Sequence, residues 1–289
     1  MNRRLTVVLL VVLVVAAVPV FAGHAWGTYH WSRTSTQITP PVHNNVTSVW
    51  DSYLDVAVAD WNASSVIQSP YGSSYGPISN VKRCTSATGK IEVCNAKYGN
   101  NGWLGIAGIS ISGGHITKGY TKLNDTYFNT ATYNKPSWRR MVTCQEVGHD
   151  YGLAHVNENF NDPNTGSCMD YTNDPGRNDG AGTNEYPNAH DYSLLESIYN
   201  HSHALALPFD EMRADATRPT TVQEFMAKAD QWGEPIAFDQ EGRPTTFFLR
   251  TGPNHGGEMH DGEIIDVFWA PFDPFAEGAD RDPENQPRQ

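Results

Sequence analysis

The sequence predicts an α+β fold, with strands first and the main helices after them. Apolar stretches bounded by turn residues predict strands at 90–97, 103–111 and 115–128. A helix is predicted over 136–153, because Pro136 is favoured in a first helical turn, and a closing helix over 188–199. Segregated strands and helices are typical of an α+β domain rather than of alternating β–α units.

The N-terminal part of this domain contributes one further strand and one further helix. Residues 29–38 predict a strand that ends before Pro40. Residues 45–62 predict an amphipathic helix, because Val49, Trp50, Tyr53 and other apolar residues recur every three or four positions. We interpret this aromatic stripe as core packing.

The character of the chain changes after residue 203. Three short strands are predicted at 234–239, 245–250 and 263–269, in a region that we interpret as an appendage without chemistry of its own. The tail is rich in Asp, Glu and Pro, which is typical of disorder. The predicted organisation is a leader at 1–22, a catalytic domain at 23–203, a β-rich appendage at 204–270 and an acidic disordered tail at 271–289.

The first residues predict export from the cytoplasm. Arg3 and Arg4 precede an apolar run from Leu5 to Val20, and Ala22 is a suitable residue for signal-peptidase cleavage. The run approaches the ~18–20 residues that span a bilayer, so an uncleaved anchor is the alternative. In both cases we expect the remaining chain to be extracellular, and after cleavage we expect no membrane contact.

The charge balance excludes some partners. The formal net charge is −12 over 289 residues, which disfavours nucleic acid and anionic membranes as partners. We expect a solvated monomer with one sizeable core.

Four cysteines allow three disulfide pairings, and export permits disulfides. Cys84 and Cys94 flank a short segment that can close as a local loop. The alternative for Cys144 is a metal ligand or nucleophile, although no histidine stands beside it in the sequence to act as its base.

Residues 145–155 carry the most informative pattern. Gln145 and His149 lie four apart, so on a helix both can face one ion with Glu146 beside them. Gly152 can adopt the positive φ that ends a helix and turns the chain back. That turn allows His155 to approach the same ion from another direction.

This segment resembles the H-E-x-x-H-x-x-G-x-x-H motif of the metzincin zinc metalloproteases, with Gln145 in place of the first histidine. Residues 167–171, with Met169, resemble the metzincin Met-turn, and the closing helix with Asp191 resembles that of bacterial matrixin-like members. The resemblance covers about residues 29–200. It implies a mixed twisted sheet, an active-site helix, a Met-turn and a C-terminal helix.

The resemblance also implies the roles of individual residues. His149 and His155 would bind Zn²⁺, Glu146 would be the general base, and zinc would lower the pKa of its water from ~15.7 towards ~7. Gln145 would be a third ligand through its amide oxygen, or water would replace it, or the site would be inactive. The remaining residues have structural roles: Gly152 at the turn, Met169 below the ion, and Asp191 on the closing helix.

A Met-turn beneath the ion implies further contacts. It would bring Cys144 close to Cys168, and we therefore expect the disulfides Cys84–Cys94 and Cys144–Cys168. An extended polypeptide substrate would pair with the strand edge at 103–111.

These observations lead to one hypothesis and one alternative. The hypothesis is a secreted zinc-dependent endopeptidase, and the alternative is a catalytically inactive secreted binding module of the same fold. The oxygen-rich stretch 157–164 could bind Ca²⁺, but it lacks EF-hand spacing, so we favour a solvated loop. His190 is expected to be a surface residue at a helix start.

Overall fold

The computed structural model describes residues 24–27, 29–72, 80–200, 232–251 and 261–275. The predicted leader, most of the acidic tail and residues 204–231 of the appendage lie outside these described residues.

Four helices are present in the described chain. The two long ones that form the core are α1 at Ser48–Trp61 and α3 at Pro136–Asp150. A single turn, α2, spans Asp125–Phe128, and the closing helix α4 spans Ala189–Asn200. The predictions for α1, α3 and α4 therefore agree with the structure to within a few residues.

The strands form one mixed sheet. The strands of the first half are β1 His30–Trp31, β2 Val42–Asn45, β3 Tyr71–Gly72, β4 Ile91–Ala96, β5 Trp103–Ser112 and β6 His115–Asn124. The strands of the C-terminal region are β7 Glu234–Phe238, β8 Pro244–Arg250 and β9 Gly262–Trp269. Their order is β3-β2-β4-β6-β5-β9-β8-β7, and β1 pairs with β6.

Strand direction divides the sheet into two parts. The pairs β2–β3, β2–β4 and β4–β6 are parallel. From β6 onward every pair is antiparallel: β5–β6, β5–β9, β8–β9 and β7–β8. The sheet is therefore mixed, as the sequence predicted.

Two predicted strands are shorter in the structure. The strand predicted at 29–38 is limited to His30–Trp31, because residues 32–36 are polar and have little apolar surface to bury. The strand predicted at 115–128 ends at Asn124, whose side chain accepts a hydrogen bond from the Thr126 amide. This cap starts the α2 turn.

The C-terminal strands do not stand apart from the sheet of the first half, which differs from the separate appendage that we predicted at 204–270. β9 pairs with β5 from Ile111↔Gly262 to Trp103↔Trp269. Phe268 and Ile264 join the main hydrophobic core. The C-terminal strands therefore continue the sheet of the first half.

The core lies where α1 and α3 pack together beside the sheet. Trp61 is fully buried, and its indole N–H donates to the Cys144 carbonyl across 2.9 Å. Trp50 of the predicted apolar stripe is buried, as are Trp61, Trp103 and Trp138, whereas Val49 of the same stripe is 58% exposed and does not pack in the core.

Two disulfides join parts of this core. Cys84 is bonded to Cys94, and Cys144 is bonded to Cys168, which are the pairings that we expected. The second bond ties α3 to the segment that carries Met169. No helix in the described ranges has the length and apolar character to cross a bilayer.

Replacing Gly148 with alanine tests the contact between α3 and the Met169 segment. A Cβ at Gly148 would lie 2.6 Å from both Met169 Sδ and Trp61 Cζ2. Alanine favours a helix over glycine by up to ~1 kcal/mol, but overpacking costs about 1–3 kcal/mol. We expect Gly148→Ala to lower the free energy of unfolding in urea, with Gly176→Ala, whose Cβ would meet only ordinary contacts, as the control. Equal stabilities for the two variants would contradict the close packing.

Candidate metal centre

The last two turns of α3 carry four polar side chains into the interior, and Asp150, the last of them, is fully buried. Gln145 and Glu146 are fully buried, and His149 is 1% exposed. The remainder of the helix is apolar on the same side, so these residues are carried inward together with Met141 and Val142.

A glycine turn after α3 returns the chain to the site. Gly152 has a φ of +99°, and its N–H donates to the His149 carbonyl across 2.9 Å. The Gly152 carbonyl accepts from the Trp26 N–H, which ties the first described segment to this turn. The turn places His155 beside His149, as the motif predicted.

The two histidines face each other through their Nε2 atoms, which are 3.1 Å apart. The Nδ1 of His149 lies 2.8 Å from the Leu153 carbonyl, and the Nδ1 of His155 lies 2.9 Å from Glu158 Oε1. Both oxygens accept hydrogen bonds, so each Nδ1 carries the proton. In the neutral rings, two Nε2 lone pairs therefore converge on one point.

A carboxylate from the C-terminal strand completes this group. Asp266 Oδ1 lies 3.0 Å from His155 Nε2 and 3.3 Å from His149 Nε2. The three side chains are buried and arranged so that they could hold a metal ion. Asp266 was not among the predicted site residues, although a charged residue within the apolar stretch 264–268 of β9 was a signal for it.

Burial and mutual charge set the protonation of the group. Burial lowers the pKa of His149 to about 4. Burial also opposes the charge of His155, but Asp266 and then Glu158 outweigh it and raise the pKa of His155 to about 10. Burial alone would raise the pKa of Asp266, yet His155 and His149 hold it below its ordinary value. Without an ion, one proton on His155 therefore offsets the Asp266 charge.

Glu146 and Gln145 have polar atoms without partners among the described residues. Both carboxylate oxygens of Glu146 and both amide atoms of Gln145 are buried and make no hydrogen bond there. Burial, and then Asp266, raise the pKa of Glu146 well above its ordinary value. Each unmade buried hydrogen bond costs about 1–3 kcal/mol, so these atoms indicate a site built for a further group.

Gly105 of β5 makes room for Glu146. A Cβ at Gly105 would collide with Glu146 Oε1. The carboxylate is therefore packed directly against the backbone of β5, on the same helix as His149.

The closing helix α4 is linked to the segment that carries Met169. Met169 is fully buried against Gly148 of α3, and the Ser167 hydroxyl donates to both carboxylate oxygens of Asp191, across 2.9 and 2.8 Å. Asp191 also accepts from the Asn188 N–H. Asp191 therefore ties α4 to the segment that packs against α3.

The strand edge that we expected to receive substrate is occupied. β9 pairs with β5 along the range 103–111, so an extended peptide cannot pair there in this structure. The Tyr171 hydroxyl donates to the Val267 carbonyl across 3.1 Å, which adds a bond between β9 and the segment that carries Met169. This finding corrects the predicted substrate position.

A second histidine and aspartate group lies nearby. His24 Nε2 is 3.0 Å from His190 Nδ1 and 3.5 Å from Asp191 Oδ1. In one neutral tautomer the exposed His190 ring carries its hydrogen on Nδ1 and donates it to His24 Nε2. This contact therefore needs no cation. In this respect it differs from the group of His149, His155 and Asp266.

The oxygen-rich loop does not support the calcium site. The guanidinium of Arg177 donates to the Asp162 carbonyl and to Asp179, and the amide of Asn164 donates to the carbonyls of Asp174 and Arg177. The loop is therefore held by its own hydrogen bonds and by a cationic side chain.

Comparison with known proteins gives a distant structural likeness. No protein-family model and no curated protein matches the sequence. A solved structure that matches is high choriolytic enzyme 1, a hatching-enzyme zinc protease from the medaka fish Oryzias latipes, with a TM-score of 0.34 and 12% sequence identity. The match covers 61% of this chain and 96% of that chain. At this level of likeness, the chemistry of the site has to follow from its own residues.

Replacing Gly152 with alanine tests the turn that delivers His155. Alanine at a φ of +99° is strained, by about 1–2 kcal/mol, and its Cβ would lie 2.7 Å from the Tyr29 carbonyl oxygen. We expect Gly152→Ala to lower the free energy of unfolding more than Gly89→Ala, which has a φ of +82° but open space around its Cβ. Chemical denaturation measures both. Equal losses would show that the Tyr29 contact adds nothing.

Proposed function

We propose that this protein is a zinc-dependent peptidase related to the matrixin-like metzincins. The single observation that carries the proposal is the placement of Glu146. This buried carboxylate, without a partner in the described chain, adjoins two imidazoles whose Nε2 atoms converge. An acid beside two convergent imidazoles is the arrangement that metal-assisted hydrolysis requires.

The residues present fit a zinc ion. Zinc bonds of about 2.0–2.1 Å in a tetrahedron place neighbouring ligand atoms about 3.3 Å apart. The separations here are 3.1, 3.0 and 3.3 Å. The proton of each Nδ1 is already donated to an oxygen, so both Nε2 atoms are directed to the shared point as neutral donors.

The chemistry divides between the ion and Glu146. Bound zinc supplies Lewis acidity, which makes a water a nucleophile near neutral pH and polarises a peptide carbonyl. Glu146 accepts the proton of the attacking water and then passes it to the leaving amine. Its position against Gly105 fixes the carboxylate for both transfers.

A polypeptide substrate must reach the centre past a covered edge. Because β9 occupies the β5 edge, the extended polypeptide that we propose as substrate approaches outside this ladder. The two disulfides agree with a secreted protein, and we retain secretion as a monomer after leader removal as part of the proposal.

The alternative is a catalytically inactive binding module. Its support is the closure of the site: the β5 edge is paired, and Gln145, Glu146 and His149 have almost no exposed surface. A purified protein that holds zinc but cleaves no unfolded protein, with or without a chelator, would favour this alternative.

Replacing Glu146 with glutamine tests the peptidase proposal. Glutamine keeps the size of the side chain but cannot accept the proton, and general-base catalysis contributes about 10²–10⁴-fold. We expect Glu146→Gln to lower cleavage of an unfolded protein by that factor while the zinc content stays unchanged. Proteolysis is followed by gel or fluorescence assay, and zinc by elemental analysis.

The matched control for this experiment is Glu158→Gln, which changes a carboxylate that contacts His155 Nδ1 rather than the reacting water. We expect this variant to keep measurable chelator-sensitive cleavage. Full activity in Glu146→Gln would remove Glu146 as the base and the proposal with it.

A further inference from the structure

We propose that Asp266, and not Gln145, is the third protein ligand of the metal. Asp266 would supply the bond that the first histidine of the motif would otherwise make. This inference rests on the proposed function, in which His149 and His155 hold zinc. It assigns a metal ligand to the C-terminal strands and makes β9 a permanent part of the centre.

The first support is the geometry of the three atoms. Asp266 Oδ1 and the two Nε2 atoms form a triangle with sides of 3.0, 3.1 and 3.3 Å. These sides are close to the ~3.3 Å expected between neighbouring ligands of one tetrahedral zinc ion. A carboxylate oxygen is also a common zinc ligand, whereas a glutamine amide oxygen is a weaker one.

The second support is the lack of donors at the point where the three atoms meet. The Nδ1 protons of His149 and His155 are already committed, so the neutral rings offer only lone pairs towards Asp266 Oδ1. Asp266 Oδ1 is buried, and the polar atoms that approach it are these two Nε2 atoms, at 3.0 and 3.3 Å. Three acceptors around one buried point require a proton or a metal cation between them.

The third support is the orientation of Asp266 by its own neighbours. The hydroxyl of Thr246 donates to Asp266 Oδ2 across 2.8 Å, and the two residues are direct partners in the β8–β9 register. This bond occupies one oxygen and leaves the other towards the histidines. Outer hydrogen bonds of this kind are what hold metal ligands in place.

The neighbouring strand residue supports His155 in the same manner. The Thr245 hydroxyl donates to Glu158 Oε1 across 3.1 Å, and this oxygen accepts the His155 Nδ1 proton. β8 therefore supports Asp266 through Thr246, and it supports His155 through Thr245 and Glu158. An attachment without chemistry would have no physical need for either contact.

The assignment gives Gln145 a different role. Its side chain is buried and has no hydrogen-bond partner among the described residues, and its amide adds no charge. With Asp266 the two neutral imidazoles and one carboxylate carry a net charge of −1, which partly neutralises a divalent ion. Gln145 then lines the site without holding the metal.

Zinc binding by full-length variants tests the inference. All variants carry His190→Ala, so that the group around His24 cannot contribute a second ion. We expect Asp266→Ala and Asp266→Asn to weaken zinc binding by at least ~100-fold, more than an outer-sphere change. We expect Gln145→Ala to leave the zinc dissociation constant unchanged, and Glu263→Ala, in the same strand, to serve as the matched control.

A replacement ligand separates coordination from folding. Asp266→His restores a zinc donor, so it should regain zinc binding over Asp266→Ala and change the visible absorption of the cobalt-substituted protein. Unfolding in urea reports whether each variant is folded. Zinc-free parent protein would overturn the proposed function together with this inference.

Two further results would overturn this inference without overturning the proposed function. If Asp266→Ala keeps zinc while His149→Ala loses it, Asp266 is not a ligand and the proposed function stands. If Asp266→Ala keeps zinc and gains proteolytic activity, β9 is a removable cover and the assignment is overturned.

Discussion

The pairing of β9 with β5 is the constraint on which the site depends. It joins a strand near the C-terminus to the sheet of the first half and brings Asp266 within 3.0–3.3 Å of two histidines. The same ladder buries Glu146 and covers the edge that an extended peptide would use. One set of backbone hydrogen bonds therefore both brings Asp266 to the two histidines and covers the β5 edge.

The second determinant is which buried ring nitrogens carry a proton. Carbonyl and carboxylate oxygens take the Nδ1 protons of His149 and His155, so the remaining ring nitrogens can only accept. Burial makes any uncompensated charge costly, and one shared cation or proton removes the conflict. In our proposal zinc is that cation.

Close backbone approaches make this arrangement possible. Glu146 fits only because Gly105 has no side chain, and Met169 reaches the underside of α3 only because position 148 is glycine. The Cys144–Cys168 disulfide holds these two segments together. The two proposals therefore draw on a densely packed framework rather than on a flexible cleft.

The sequence alone determined the main helices, most strands and the meeting of His149 with His155, because helical spacing and a glycine turn are local properties. It also predicted both disulfide pairings. Only the tertiary structure brought in Asp266, since 111 residues separate it from His155 and no local pattern records which strands pair. For the same reason the sequence left residues 234–269 as a separate region, whereas the β5–β9 register made them part of the site.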